Sequence, residues 1–244
     1  MSALRPLLVA LQFLTRIPVR LKTPPSEVEV GRSLLMYPAV GLLIGAVLVA
    51  TNFALREVPD FVRAALLLAT WVALTGALHL DGLSDTVDAF VGGRGDRERT
   101  LAIMKDPYCG PMGVTALVLV LLTKFAALAG TTATDSVMLL LAPLLARTSA
   151  VLLFATTDYV RNAGLGSVLT YGQSRTRLLA VCAGTIIAVL AFTDITGWRA
   201  TAATLLLFSV LRWRMRVRLG GATGDTAGAM IELIEAAVLL SLFF

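Results

Sequence analysis

The chain has 244 residues, of which 57% are hydrophobic and only 15% charged, and its mean hydropathy is +0.82. A water-soluble domain carries about 25% charged residues, and the shortfall here comes from long apolar blocks with the charges confined between them, which argues against a soluble fold. The net charge of +5 lacks the aromatic-studded basic domain of a nucleic-acid binder, and basic residues accumulate on the cytoplasmic loops of membrane proteins anyway.

Taken in chain order, residues 3–15 read as an interfacial or partly buried helix. The apolar stretch from Leu7 to Leu14 is too short for a cleavable signal, and no small-residue cleavage site precedes Thr15-Arg16-Ile17-Pro18. Pro18, Pro24 and Pro25 then break the chain. A bilayer-spanning helix needs roughly 20 apolar residues. Block length predicts seven such segments, at 34–54, 64–80, 112–130, 137–157, 178–197, 199–211 and 227–244. The sixth is short for a full span. Cys109 and Cys182, the two cysteines, make neither a disulfide framework nor a zinc site.

Arginine and lysine placement gives the orientation. With the N-terminus inside, sixteen basic residues fall on the cytoplasmic side, and only Arg56, Arg63 and Arg199 fall outside. Lys124 and Arg147 lie within segments. The positive-inside rule therefore predicts N-in, C-out with an odd number of spans. The longest polar stretch, 92–111, is too short to fold alone. The expectation is an all-α polytopic helical bundle, with residues 1–244 forming one integral membrane domain.

The strongest chemical signal runs from His79 to Asp88. At 100° per residue, Asp85 lies about 40° from Asp81 and Asp88 about 20° on its other side. Three carboxylates on one helical face repel one another, and a hard cation such as Mg²⁺, which favours carboxylate and phosphate oxygens, would relieve them. The plainer reading is a helix end facing water. Ionisable groups at membrane depth, however, are functional by default. His79, the sole histidine, reads more readily as a hydrogen-bonding scaffold than as a base.

A second acidic group follows Gly220-Gly221-Ala222-Thr223-Gly224. Asp225 and Glu232 share a helical face, and the charge-derived topology puts Asp225 on the same side of the membrane as Asp81. Glycines at a helix start also let a phosphate approach the backbone closely. Between the two groups, Arg97, Arg99 and Lys105 are candidates for holding anionic phosphates, although ordinary loop arginines would look the same. Lys124 and Arg147 are expected to neutralise Glu232, Glu235 or Asp135.

These residues together resemble the adenosylcobinamide-GDP ribazoletransferase (cobalamin synthase) family. The resemblance is carried by Phe13-Leu14-Thr15-Arg16-Ile17-Pro18-Val19, Tyr37-Pro38-Ala39-Val40-Gly41 through Gly45, the His79–Asp88 motif, Met104-Lys105-Asp106 and Thr223-Gly224-Asp225-Thr226. Ala89 departs from the family pattern, where a glycine is expected. The resemblance implies joining of adenosylcobinamide-GDP to α-ribazole, or its 5′-phosphate, with release of GMP and with Mg²⁺ as the ion. It implies Asp81, Asp85, Asp88, Asp225 and Glu232 as metal ligands. Asp85, Asp88 and His79 would be the catalytic candidates, and Arg97, Arg99 and Lys105 the phosphate contacts. It also implies a bacterial inner-membrane location with the site facing the cytoplasm. Oligomeric state is left open, a homo-oligomer included. Two other classes fit the acids less well. A CDP-alcohol phosphotransferase would need an Ala-Arg pair where Asp85-Thr86 stands, and a cation-coupled transporter usually carries an internal repeat that is not visible.

Overall fold

A computed structural model describes residues 4–131, 136–161, 168–169 and 173–244. Among these residues the regular structure is helical: α1 (Leu4–Leu14), α2 (Glu27–Ser33), α3 (Tyr37–Ala54), α4 (Asp60–Thr75), α5 (Leu78–Gly92), α6 (Arg97–Ile103), α7 (Pro111–Ala129), α8 (Ser136–Thr156), α9 (Arg175–Phe192), α10 (Ile195–Leu219) and α11 (Gly224–Leu240). A 3₁₀ turn, Leu34–Met36, joins α2 to α3. The all-α class expected from the sequence is what forms.

Four helical stretches are long and apolar enough to cross a membrane: 27–54, α7, α8 and α9. The bent pair α4–α5 passes the same test when taken together, which makes up to five. Large apolar side chains such as Phe53, Phe61, Leu119, Leu122 and Leu206 stand exposed on the outer helices, as lipid-facing side chains do. Burial separates centre from edge: within the spanning windows 78% of α8 is buried but only 17% of α9. α8 packs on α3, α9, α10 and α11, and α11 packs on α5, α7, α8 and α10.

Small residues set the closest helix approaches, as they do where van der Waals packing holds membrane helices together. On α3, a Cβ added at Gly45 would sit 2.7 Å from the Cα of Leu140 on α8, and one at Gly41 would strike the Pro143 carbonyl. At the crossing of α5 and α11, a Cβ at Gly82 would lie 2.8 Å from the Asp225 carbonyl oxygen. One at Gly228 would lie 3.3 Å from the His79 Cα.

The predicted segment 64–80 does not run as one helix. α4 stops at Thr75, Gly76 and Ala77 both adopt left-handed φ of 64° and 59°, and α5 leaves at 88° to α4. The N-terminal arm enforces the break. The Arg16 N–H donates to the Leu74 carbonyl at 2.7 Å, and the Arg16 side chain fills the space a Cβ at Gly76 would need. An apolar window passes over such a corner because every residue up to Leu80 except His79 is compatible with an uninterrupted span.

The segment predicted at 199–211 also differs, because α10 runs on to Leu219. Its arginines have local uses. Arg212 donates to the Thr156 carbonyl at 2.5 Å and the Thr157 hydroxyl at 2.9 Å, and Arg218 donates to the Phe90 carbonyl at 2.5 Å. Thr156 and Phe90 lie in the last turns of α8 and α5, where carbonyls lack intrahelical partners and cations are favoured.

Candidate active site

The Gly82–Gly228 contact lets the first turn of α11 lie directly on α5. α11 begins with a capping box: the Thr226 N–H donates to the Thr223 hydroxyl at 3.1 Å, and the Thr223 N–H donates to the Thr226 hydroxyl at 2.9 Å. Asp225, in that first turn, therefore faces α5 at a fixed position. Asp81, Asp225 and Asp88 all act on the Asp85 carboxylate as repelling charges, and Arg161 attracts it. Acids 140 residues apart in sequence thus meet in one field. Asp81 is exposed, while Asp85 and Asp225 are half-buried.

Arg161 is the residue that sequence reasoning missed. Its Nη2 lies 2.6 Å from Asp225 Oδ2 and also donates to the Met104 carbonyl at 3.3 Å. Its Nε is buried without a partner among the described residues. Two clamps place it. Val160 N–H donates to the Ala222 carbonyl at 3.0 Å, and Ala222 N–H donates to the Asp158 carbonyl at 2.8 Å, so the chain after α8 is stitched to the glycine-rich approach to α11. A Cβ at Gly221 would strike the Asp158 carbonyl. From the sequence Arg161 looked like any loop arginine; the available signal was the Gly220-Gly221 pair, which demanded a close backbone neighbour.

Asp88 is turned to another task. Gly110 N–H donates to its Oδ2 at 2.7 Å and Gly113 N–H to its Oδ1 at 2.9 Å. Gly110 is the N-cap of α7, so a carboxylate from α5 satisfies the unpaired donors of a second helix. Beside it, Ser84 Oγ and Cys109 Sγ are 2.9 Å apart.

Glu232 lies deeper and is committed elsewhere. Lys124 Nζ is 2.5 Å from Glu232 Oε2 and also pairs with Glu235, which Arg147 binds in turn. All four side chains are buried, and Lys124 sits 4.9 Å above the Trp71 ring. Two acids and two bases make a neutral set, the arrangement by which charges persist at membrane depth. Asp135, the other acid considered for this pairing, lies outside the described residues. His79 is attached to the same cluster, with Nδ1 3.4 Å from Arg147 Nη2.

Of the basic candidates, Arg97 donates through Nε to the Leu219 carbonyl at 2.7 Å, closing the end of α10. Arg99 and Lys105 are exposed. Lys105 follows Met104, whose carbonyl meets Arg161 and whose sulfur is 3.9 Å from the Thr223 hydroxyl, which puts it at the rim of the acidic group.

Among the described residues no three His, Cys, Asp or Glu side chains are arranged to enclose a metal ion by themselves. The donors present are carboxylate oxygens: Asp81 and Asp85 lie outside the contacts that hold Asp88 and Glu232, and Asp225 is paired with Arg161 through Oδ2. Mg²⁺ is typically held by one or two carboxylates, waters and substrate phosphates, not by an all-protein cage. The donor set fits such an ion brought in with a diphosphate.

The family model described as Cobalamin-5-phosphate synthase matches residues 6–243. An adenosylcobinamide-GDP ribazoletransferase of Pseudomonas aeruginosa (strain UCBPP-PA14) is 56% identical, covering 99% of this chain and 98% of its own. Proteins of the same name from Ectopseudomonas mendocina (strain ymp), with 96% of each chain covered, and Stutzerimonas stutzeri (strain A1501), with 97% of each, are 52% and 51% identical. No solved structure matches the chain.

Proposed function

The chain belongs to the cobalamin-5-phosphate synthase family, and from that premise we propose that its α5–α11 crossing is where adenosylcobinamide-GDP is joined to α-ribazole, or its 5′-phosphate, with release of GMP. The enzyme is a membrane-bound transferase of cobalamin biosynthesis. The observation that carries the site is the convergence of Asp81, Asp85 and Asp225, with Arg161 paired to Asp225 at 2.6 Å.

The reaction asks for positioning and charge neutralisation more than for covalent chemistry. A ribose hydroxyl attacks the cobinamide-bearing phosphorus. The new P–O bond forms as the bond to the GMP oxygen breaks, and the hydroxyl proton needs an acceptor. Asp85, half-buried among like charges, is the carboxylate best placed to take it. Asp81 and Asp225 would hold Mg²⁺ together with the diphosphate, and such an ion supplies neutralisation of the non-bridging and leaving oxygens. Arg161 orients Asp225 and places a positive charge beside the phosphates. Lys105 and Arg99 would draw the anionic substrate in from the rim. Asp88 acts by anchoring α7 against α5, and the Glu232 set acts by fixing the depth of α11.

In the bilayer we place seven spans with the N-terminus inside and the C-terminus outside, in the bacterial inner membrane with the acidic group facing the cytoplasm. The asymmetry of arginine and lysine supports that orientation.

Purified protein in lipid, given adenosylcobinamide-GDP and α-ribazole, should release GMP only when Mg²⁺ is present. GMP release at an undiminished rate in a chelator, or from Asp85→Asn at the wild-type rate, would overturn the reading.

A further inference from the structure

Beside the acidic group lies a half-enclosed cavity of about 260 Å³. Its walls are mostly apolar and include four aromatic side chains, Phe13, Tyr37, Phe154 and Tyr159. The rings come in two pairs, Phe13 with Tyr37 at 6.4 Å between centroids and Phe154 with Tyr159 at 6.3 Å. Asp81, Arg161 and Asp225 belong to the same lining, so an apolar group seated here would have its polar end at the reacting carboxylates.

Tyr37 and His79 also belong to the lining, but both are buried, at 2% and 3% exposed, and their Oη and Nε2 are closed off from solvent. What they present to the cavity is ring surface, and the charged groups of the lining are Asp81, Arg161 and Asp225.

We propose that this cavity is the seat of the nucleoside acceptor, holding the fused aromatic base of α-ribazole between the two ring pairs. This assignment rests on the reading of the reaction given above. The cavity is on the scale of a nucleoside and far short of a corrin macrocycle, so the cobinamide portion lies outside it. Guanine, the other base in the reaction, presents several donors and acceptors on its edge, which the apolar wall away from Asp81, Arg161 and Asp225 would leave unpaired. Benzimidazole in ribazole is a fused ring with little polar edge, which an apolar wall suits. With the base seated, the ribose projects toward Asp81 and Asp225.

Gly224 offers a test that spares the fold. It lines the cavity, its φ is not left-handed, and a Cβ there meets no atom within 4 Å. Gly224→Leu should raise the KM for α-ribazole ten-fold or more and leave the KM for adenosylcobinamide-GDP within two-fold. Calorimetric titration of α-ribazole into purified protein in lipid nanodiscs, with no second substrate, should show binding that Gly224→Leu weakens by the same factor. A rise confined to the KM for adenosylcobinamide-GDP, or unaltered α-ribazole binding in Gly224→Leu, overturns the assignment. Absence of GMP release from wild-type protein that still binds α-ribazole would instead locate the failure in the assigned reaction.

Discussion

Replacing Gly82 by alanine tests how the site is assembled. The added Cβ would sit 2.8 Å from the Asp225 carbonyl oxygen, 3.1 Å from its Cα and 3.3 Å from its carbonyl carbon, whereas ordinary contact begins at 3.4 Å. All three atoms are backbone, so no side chain can swing away. The first turn of α11 must retreat from α5 by about 0.6 Å or more, taking the Asp225 carboxylate with it. Overpacking of this kind costs about 1–3 kcal/mol of stability, and a displacement near 1 Å costs on the order of a hundred-fold in rate. Gly82→Ala should therefore melt earlier in detergent and release GMP at least about ten-fold more slowly. Gly184→Ala, also on a helix but with nothing within 4 Å of its added Cβ, is the control and should melt no earlier than wild type, since alanine favours a helix by about 1 kcal/mol over glycine. Wild-type turnover and melting in Gly82→Ala would refute the claim that close backbone contact brings the two acid groups together.

Other substitutions separate anchoring from chemistry. Asp88→Ala removes the acceptors for Gly110 and Gly113 N–H; it should cost about 1–3 kcal/mol and speed amide exchange at 110–113, which mass spectrometry would follow. Asp85→Asn, which leaves those bonds in place, should abolish turnover with little change in melting. Lys124→Met leaves Glu232 and Glu235 short of a partner in a buried setting and should destabilise by about 3–5 kcal/mol. Adding Glu232→Gln should recover part of that loss in thermal melts. Ala77→Gly relieves a left-handed residue with φ of 59° and should stabilise by about 1 kcal/mol, read as a higher melting temperature.

The helix carrying Asp81, Asp85 and Asp88 was legible because carboxylate spacing follows the helical period. Even so, common facing said nothing of common use: Asp88 is claimed by the start of α7, a contact between residues 22 and 25 apart that no local pattern reports. The likeness of side between Asp81 and Asp225 followed from counting arginines, but their meeting depends on Gly82 and Gly228, whose meaning appears only when two backbones touch. Glu232 shares a face with Asp225 in the sequence and still ends in the Lys124 set, because a helix that descends into a bundle meets different neighbours at each turn. The corner at Gly76-Ala77 was hidden by uninterrupted hydropathy and required the Arg16 arm, distant in sequence, to explain it.

The account stands on Asp81 of α5 and Asp225 of α11 sharing one site, and thiol cross-linking measures that directly. In protein lacking Cys109 and Cys182, cysteines placed at 81 and 225 should be bridged in native membranes by a short bifunctional thiol reagent, giving a product of altered mobility after cleavage between α5 and α11. If each cysteine is labelled singly while no bridge forms, the two helices do not bring these positions together and the proposed active site is wrong.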